Sequence, residues 1–337
     1  MKKIIFVLGM VLFSQIGYSQ TGVNDLLAAG LEDAQQFSQS YFSPSTEAMI
    51  YSLSSGWYNS GEAKKLGEFE VSFTGNASMI GDSSRSFELN TADYNFLEFQ
   101  SGPSSQMVAT SLGQNNPNID MNIVFQDENG NQEEVMLRLP QGIGSEGVST
   151  LPSAFVQANV GLVAGFEVKF RFLPEVNTED VDLKMYGFGL QNEFSKWIPG
   201  VKSLPVAISG IIGYSKIDGR YALDPDNLVQ GSNQRIESDL DSWLYSLVAS
   251  TKFKVINFYG GIGYVNGSSE TSLLGNYTIN EGVIAGQTLE NPFSVKSDIS
   301  GMKATLGTRL KLSFFRIHVD YSFQEFNTVS GGISFGI

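Results

Sequence analysis

The sequence predicts an all-β chain: an antiparallel transmembrane β-barrel of about 12 strands (10–14 in range), with a short N-terminal helical plug or hatch. Three observations point there. Apolar and polar residues alternate over runs longer than soluble strands. A short apolar run at the N-terminus reads as an export signal, not an anchor. The links between alternating runs are short on one side and long on the other.

The N-terminal signal comes first in the chain. Met1, Lys2 and Lys3 make a basic start, Ile4 to Phe13 are apolar, and Gly17 and Ser19 put small residues at −3 and −1 before Gln20. That is a secretory signal peptide, residues 1–19. Its apolar run falls short of the roughly 20 residues a spanning helix needs. Such a chain is exported, and a barrel then places it in the outer membrane of a Gram-negative cell.

Residues 20–66 follow with a different period. Val23, Leu26, Leu27, Gly30, Leu31 and Ala34 recur at helical spacing. Asn24 suits an N-cap for a helix with Leu27 to Phe37 as its body, and Pro44 after Ser43 suits the start of a second helix. Leu27, Leu31, Phe37, Phe42 and Met49 are the apolar residues of this hatch. Two short helices need a partner surface, so the segment is expected to plug the lumen, with packing beneath the barrel as the alternative.

From residue 67 to 337 the period is two. In Val156 to Phe172 the even positions are apolar throughout, while the odd ones are mostly polar, charged or glycine. Soluble strands average five or six residues, and a transmembrane strand needs about nine to eleven. The alternation returns at Phe69–Met79, Trp243–Phe253, Met302–Leu312 and Phe315–Phe323, and Val329, Ile333, Phe335 and Ile337 finish the chain. Lipid can solvate the apolar face and a wet lumen the other. Tight links near Ser313 and Val255 alternate with long Gly-, Asn-, Ser- and Asp-rich links near Gly219 to Asp239 and Gly267 to Ser297. Short turns and long loops mark the periplasmic and extracellular ends of such barrels. Asn118 to Leu139 reads as a hairpin, and residues 81–117 have room for one or two strands.

Composition removes other classes. There is no Cys, so no disulfide, thiolate metal site or lipid-anchored N-terminus is possible. The formal net charge of −14 is wrong for nucleic-acid binding. One His leaves little room for His-based metal or catalytic chemistry. No nucleotide-binding or zinc motif is present, so no cofactor and no metal are expected. Parity puts Glu167, Lys169, Arg171, Arg309, Lys311, Arg316, His318 and Asp320 on the lumen face. His318, Asp320 and Ser322 could be read as base, orienting acid and nucleophile. Residues two apart on a strand sit about 7 Å apart, a poor triad, so these groups read as a polar lumen network and the chain as no enzyme.

Tyr41-Phe42-Ser43-Pro44, Gly56-Trp57-Tyr58-Asn59, Gly187-Phe188-Gly189, Trp197-Ile198-Pro199 and Leu204-Pro205-Val206 to Gly213-Tyr214 resemble an uncharacterised family of outer-membrane barrels from Bacteroidetes-type bacteria, over most of the mature chain. The layout is more distantly similar to long-chain fatty-acid transporter (FadL-type) barrels, which carry an N-terminal hatch. That resemblance implies a plugged channel or transporter for small, hydrophobic molecules. The alternative is a structural or interaction barrel of an envelope complex. The expected partners are outer-membrane lipid, lipopolysaccharide and a hydrophobic small-molecule ligand.

Overall fold

The computed structural model describes residues 22–336 apart from 128, 179, 201–204 and 224–227. The expected signal peptide and Ile337 lie outside the described residues.

Ten strands close a barrel. They are β1 (Phe69–Met79), β2 (Thr150–Gly161), β3 (Phe166–Asn177), β4 (Val181–Asn192), β5 (Val206–Ala222), β6 (Val229–Thr251), β7 (Ile256–Ile279), β8 (Phe293–Leu312), β9 (Phe315–Phe323) and β10 (Thr328–Gly336). All neighbours are antiparallel, and β1 pairs with β10 from Glu70↔Gly336 to Ser78↔Thr328. Closure gives every strand of the ring two neighbours, so none is a free edge strand. Thr288–Glu290 adds one short strand outside it, on β7.

The outward face is a band of exposed apolar side chains, including Phe73, Phe170, Phe188, Leu247, Ile262, Met302, Leu306 and Phe335. A band this continuous is far beyond what a soluble monomer shows. Tyr186, Tyr214, Trp243, Tyr245 and Tyr264 face outward near one rim of the band. Aromatic side chains of this type suit the boundary between lipid and water. Trp197, at the other end, is 56% exposed and packs on Phe166.

The expected count of about 12 strands is too high. The difference lies in residues 80–149, which leave the barrel after β1 and return at β2. Ser86–Asn90 pairs with Ser105–Ala109, and Leu97–Phe99, Asp120–Gln126 and Gln132–Arg138 form a second small sheet. None of these strands exceeds seven residues, too short to cross a bilayer. They build a cap over one mouth instead.

Two of the expected long links are largely strand. β5 and β6 remain paired from Val206↔Thr251 to Ala222↔Arg235, and β7 runs to Ile279. Their Gly, Ser, Asn and Asp content marks where the outward face leaves the apolar band, not where pairing stops. Beyond Tyr214 and Trp243 the outward positions become Lys216, Asp218, Asp239 and Asp241. A backbone ladder continues through such residues because each strand still has a partner.

The two expected helices are one. A 3-10 turn (Asp25–Ala29) and Gly30 precede α1 (Leu31–Leu53), and Pro44 lies inside α1. Pro in a helix interior removes a hydrogen bond and costs about 3 kcal/mol. Hydroxyls nearby occupy carbonyls on either side of the break: Ser43 Oγ donates to Gln39 O at 2.7 Å, Ser45 Oγ to Phe42 O at 2.8 Å and Thr46 Oγ1 to Ser43 O at 3.0 Å. Burial of Phe37, Tyr41 and Phe42 before the proline and Ala48, Ile50 and Leu53 after it then holds both halves in line.

Candidate functional site

The N-terminal segment threads the barrel from the cap end to the turn end. At the cap, Val283 N–H donates to Ala28 O at 2.8 Å, and Asp33 accepts the backbone N–H groups of Asn95 and Phe96, each at 2.9 Å. Val23, Leu26, Leu27 and Phe37 join Leu97, Met121 and Leu137 of the cap and Tyr277 and Ile279 of β7 in one apolar core. α1, about 35 Å long at 1.5 Å per residue, then descends the lumen. Ser54 caps it, donating its N–H to Ile50 O, and the chain turns at Gly56, where φ is +72° and an added Cβ would meet Phe155 at 2.9 Å. Residues 57–66 complete the descent and lead into β1.

The lower lumen grips this segment by its backbone. Arg171 Nη1 donates to Leu53 O at 2.8 Å, Lys303 Nζ to Ser54 O at 3.0 Å, Asn76 Nδ2 to Ser52 O at 3.0 Å and Ser242 Oγ to Ile50 O at 2.9 Å. Ala63 N–H donates to Glu193 at 2.9 Å and Lys64 N–H to Glu167 at 3.0 Å. The donors among these wall groups meet carbonyls at the helix end, where the last turn leaves acceptors free, and the two carboxylates take N–H groups of the chain beyond it. The Arg171 guanidinium lies between two rings, 3.6 Å from the Trp57 centroid and 3.9 Å from that of Phe155. The other side of the indole rests on Gly189 and Gly213, where an added Cβ would sit 2.7 and 2.6 Å from it.

Charges gather beneath. Glu70 on β1, fully buried, takes Arg309 at 2.6 Å, Arg316 at 3.2 Å and Lys64 of the plug at 3.6 Å. Glu167 takes Lys169 at 2.6 Å and Lys64 at 3.6 Å, and Lys311 pairs with Glu62 at 3.2 Å. Buried charges persist only when paired and hydrogen-bonded in this way.

All eight lumen residues singled out by parity face inward, and six are buried: Glu167, Lys169, Arg171, Arg309, His318 and Asp320. Asp320 accepts from Tyr259 Oη at 2.8 Å, and the His318 Nδ1 atom has no hydrogen-bond partner among the described residues. Of the hatch residues, Leu27, Phe37 and Phe42 are buried, Met49 is half-buried and Leu31 is 41% exposed at the cap end. Glu70, Glu193, Lys303, Trp57 and Tyr259 were not singled out. Glu70 and Lys303 share the lumen parity of their strands. The wall positions Ile211, Leu244 and Val248 carried a second signal, since an apolar side chain on a lumen face needs something apolar inside.

Above the polar floor the packing is incomplete. A cavity of about 170 Å³ lies between α1, the cap and the wall. Phe42 and Met49 of α1, Leu112 and Ile143 of the cap, and Leu151, Leu183, Ile217, Ile236 and Leu240 of the wall supply its apolar lining, with Ser45, Thr46, Ser111, Ser238 and Thr271 as its polar residues.

Fold and lumen together define a capped, ten-stranded barrel closed by its own N-terminal segment. The chain matches the family of unknown function DUF6588 over residues 1–337, and it belongs to that family. No curated protein matches it. Similar solved structures include Ail, the attachment invasion locus protein of Yersinia pestis, at 8% identity and TM-score 0.28, covering 81% of this chain and 99% of that one. The transport unit of the autotransporter AIDA-I from Escherichia coli is similar at 7% identity and TM-score 0.26, covering 88% and 97%. OmpT of Vibrio cholerae is similar at 10% identity and TM-score 0.18, covering 80% and 99%.

Proposed function

We propose that this protein is an outer-membrane barrel that binds a small hydrophobic molecule between its plug and its wall, as part of uptake across the membrane. The cavity carries the reading. Its lining is mostly Leu, Ile, Phe and Met with a few hydroxyls, the usual make-up of a small-molecule site. An apolar cavity of about 150 Å³ is enough to bind benzene, so this one suits a single ring or a short alkyl chain. The cap end faces outward, because it carries the long insertion and the extended strands, and the turn end faces the periplasm. Lipid and lipopolysaccharide cover the apolar band. The lumen charges hold the plug and have no catalytic role.

Binding of 1-naphthylamine to the purified protein in lipid nanodiscs tests this. Saturable binding that Leu240→Trp abolishes, with the barrel still heat-modifiable on gels, is the expected outcome. Non-saturable uptake, equal in the variant, would count against a ligand site. Likeness to fatty-acid transporter barrels fits this reading at the level of an N-terminal hatch and no further.

The tied plug favours a second reading, a closed barrel that displays the cap to an envelope partner. A stable stoichiometric partner in pull-downs, together with no probe binding, would select it.

A further inference from the structure

The wall in front of the cavity is unzipped. The ladder between β2 and β3 runs from Gly161↔Glu167 to Val156↔Phe172 and stops there. Yet β2 extends to Thr150 and β3 to Asn177. The first six residues of β2 pair only with β1, up to Met79↔Thr150. The last five of β3 pair only with β4, through an irregularity between Leu173 and Val176. The sequence supplies a cause. Pro152 and Pro174 stand one in each free segment, and proline has no N–H to give to a ladder.

The notch has an apolar back. Leu151 on the free part of β2 lines the cavity, and so does Leu183, the register partner of Val176 on the free part of β3. Leu173 and Val176 pack against the same cluster. Outside, Phe170, Phe172, Tyr186 and Phe188 lie exposed on the outward face just below the notch. It therefore opens at the rim of the apolar band, near the outer headgroups. The axial routes are filled: the capped apolar core lies above, and the Arg171, Lys303 and Glu70 contacts lie below.

We propose that a small lipophile dissolved in the outer leaflet enters the cavity sideways, through the notch between β2 and β3. The proposal rests on the cavity being a ligand site, and it adds the route and the source. A molecule arriving from lipid stays on apolar surface throughout, whereas one arriving from water would have to pass the sealed cap.

The chain has no Cys, so a double variant is clean. Ala154→Cys with Pro174→Cys places thiols where the register would continue past Val156↔Phe172. A flexible bis-maleimide links them, and capture of 1-naphthylamine preloaded in nanodisc lipid is followed by fluorescence. Linking is expected to slow capture at least tenfold relative to the same variant before linking, and to leave final occupancy unchanged. Ala154→Trp, which fills the notch without a linker, should slow capture too. Capture at the wild-type rate in both the linked protein and Ala154→Trp would overturn the route and leave the ligand site standing. Absence of binding to the wild-type protein would overturn both.

Discussion

Replacing Glu70 by Gln is the sharpest test of how the plug and the barrel seam are held together. The carboxylate sits on β1 with no exposed surface and meets Arg309 of β8, Arg316 of β9 and Lys64 of the plug. Among the described residues, it is the one carboxylate within ion-pair distance of either arginine. Glu70→Gln preserves shape and removes only charge. Lys64 keeps Glu167 at 3.6 Å, but the two arginines keep no carboxylate among the described residues. Breaking a buried pair by removing one partner costs about 3–5 kcal/mol, because the remaining charge is stranded. At about 1.4 kcal/mol per tenfold, that is roughly two to three and a half powers of ten in the unfolding equilibrium. Urea unfolding of the protein in detergent micelles, followed by tryptophan emission, reads it out. Glu70→Gln with Arg309→Met should recover part of the loss, since one stranded cation is gone. A Glu70→Gln protein within about 1 kcal/mol of wild type would refute the argument and mean that water reaches this cluster.

Other expectations can be checked singly. Gly213→Ala pushes a methyl into the Trp57 ring and should cost about 1–3 kcal/mol by overpacking, visible as a shift in Trp emission and an earlier unfolding midpoint. Arg171→Lys loses the flat stacking between Trp57 and Phe155, worth about 2 kcal/mol when desolvated, and should lower the temperature of the heat-induced gel shift. Gly130→Cys at the cap and Leu31→Cys at the start of α1 should both react with an impermeant maleimide on intact cells, while Lys254→Cys at a turn should react only after the outer membrane is opened. Burial, then the charges of Asp33 and Asp93, push the Tyr94 phenol of the cap up to about 12. The cap should lose stability as pH rises from 10 towards 12, because the unfolded phenol ionises first; alkaline unfolding should move to higher pH in Tyr94→Phe.

The barrel was legible because its signal is geometric. A period-two pattern held across Val156–Phe172 or Phe315–Phe323 fixes which face each side chain takes, so the eight polar residues assigned to the lumen could be placed by parity alone. Strand count was less legible. Residues 86–138 carry the same local pattern whether they cross a bilayer or fold over a mouth, and only length separates the two. Pro44 misled for a different reason: propensity ends a helix there, but packing on both sides of a 23-residue helix outweighs it. The cavity left no mark in the sequence, since it is made by residues from α1, the cap and five strands that come together only when the barrel closes.

The path of the plug limits what the barrel can do. Its first described residues are packed under the cap and its last run covalently into β1 at the opposite end, so it cannot swing out on one hinge as a door would. Residues 22–66 must already be inside when β1 meets β10, or be drawn in before that seam forms. Clearing an axial pore afterwards would strip the Arg171, Lys303, Asn76 and Ser242 contacts from the helix end and break the Glu70 and Glu167 pairs together. At about 1 kcal/mol or more for each buried hydrogen bond, and more for charged donors, thermal opening of that route is rare. A smaller motion suffices at the cap end, where α1 borders unfilled space and two neighbouring strands have already parted. Exchange of a ligand through that side requires no movement of the polar floor.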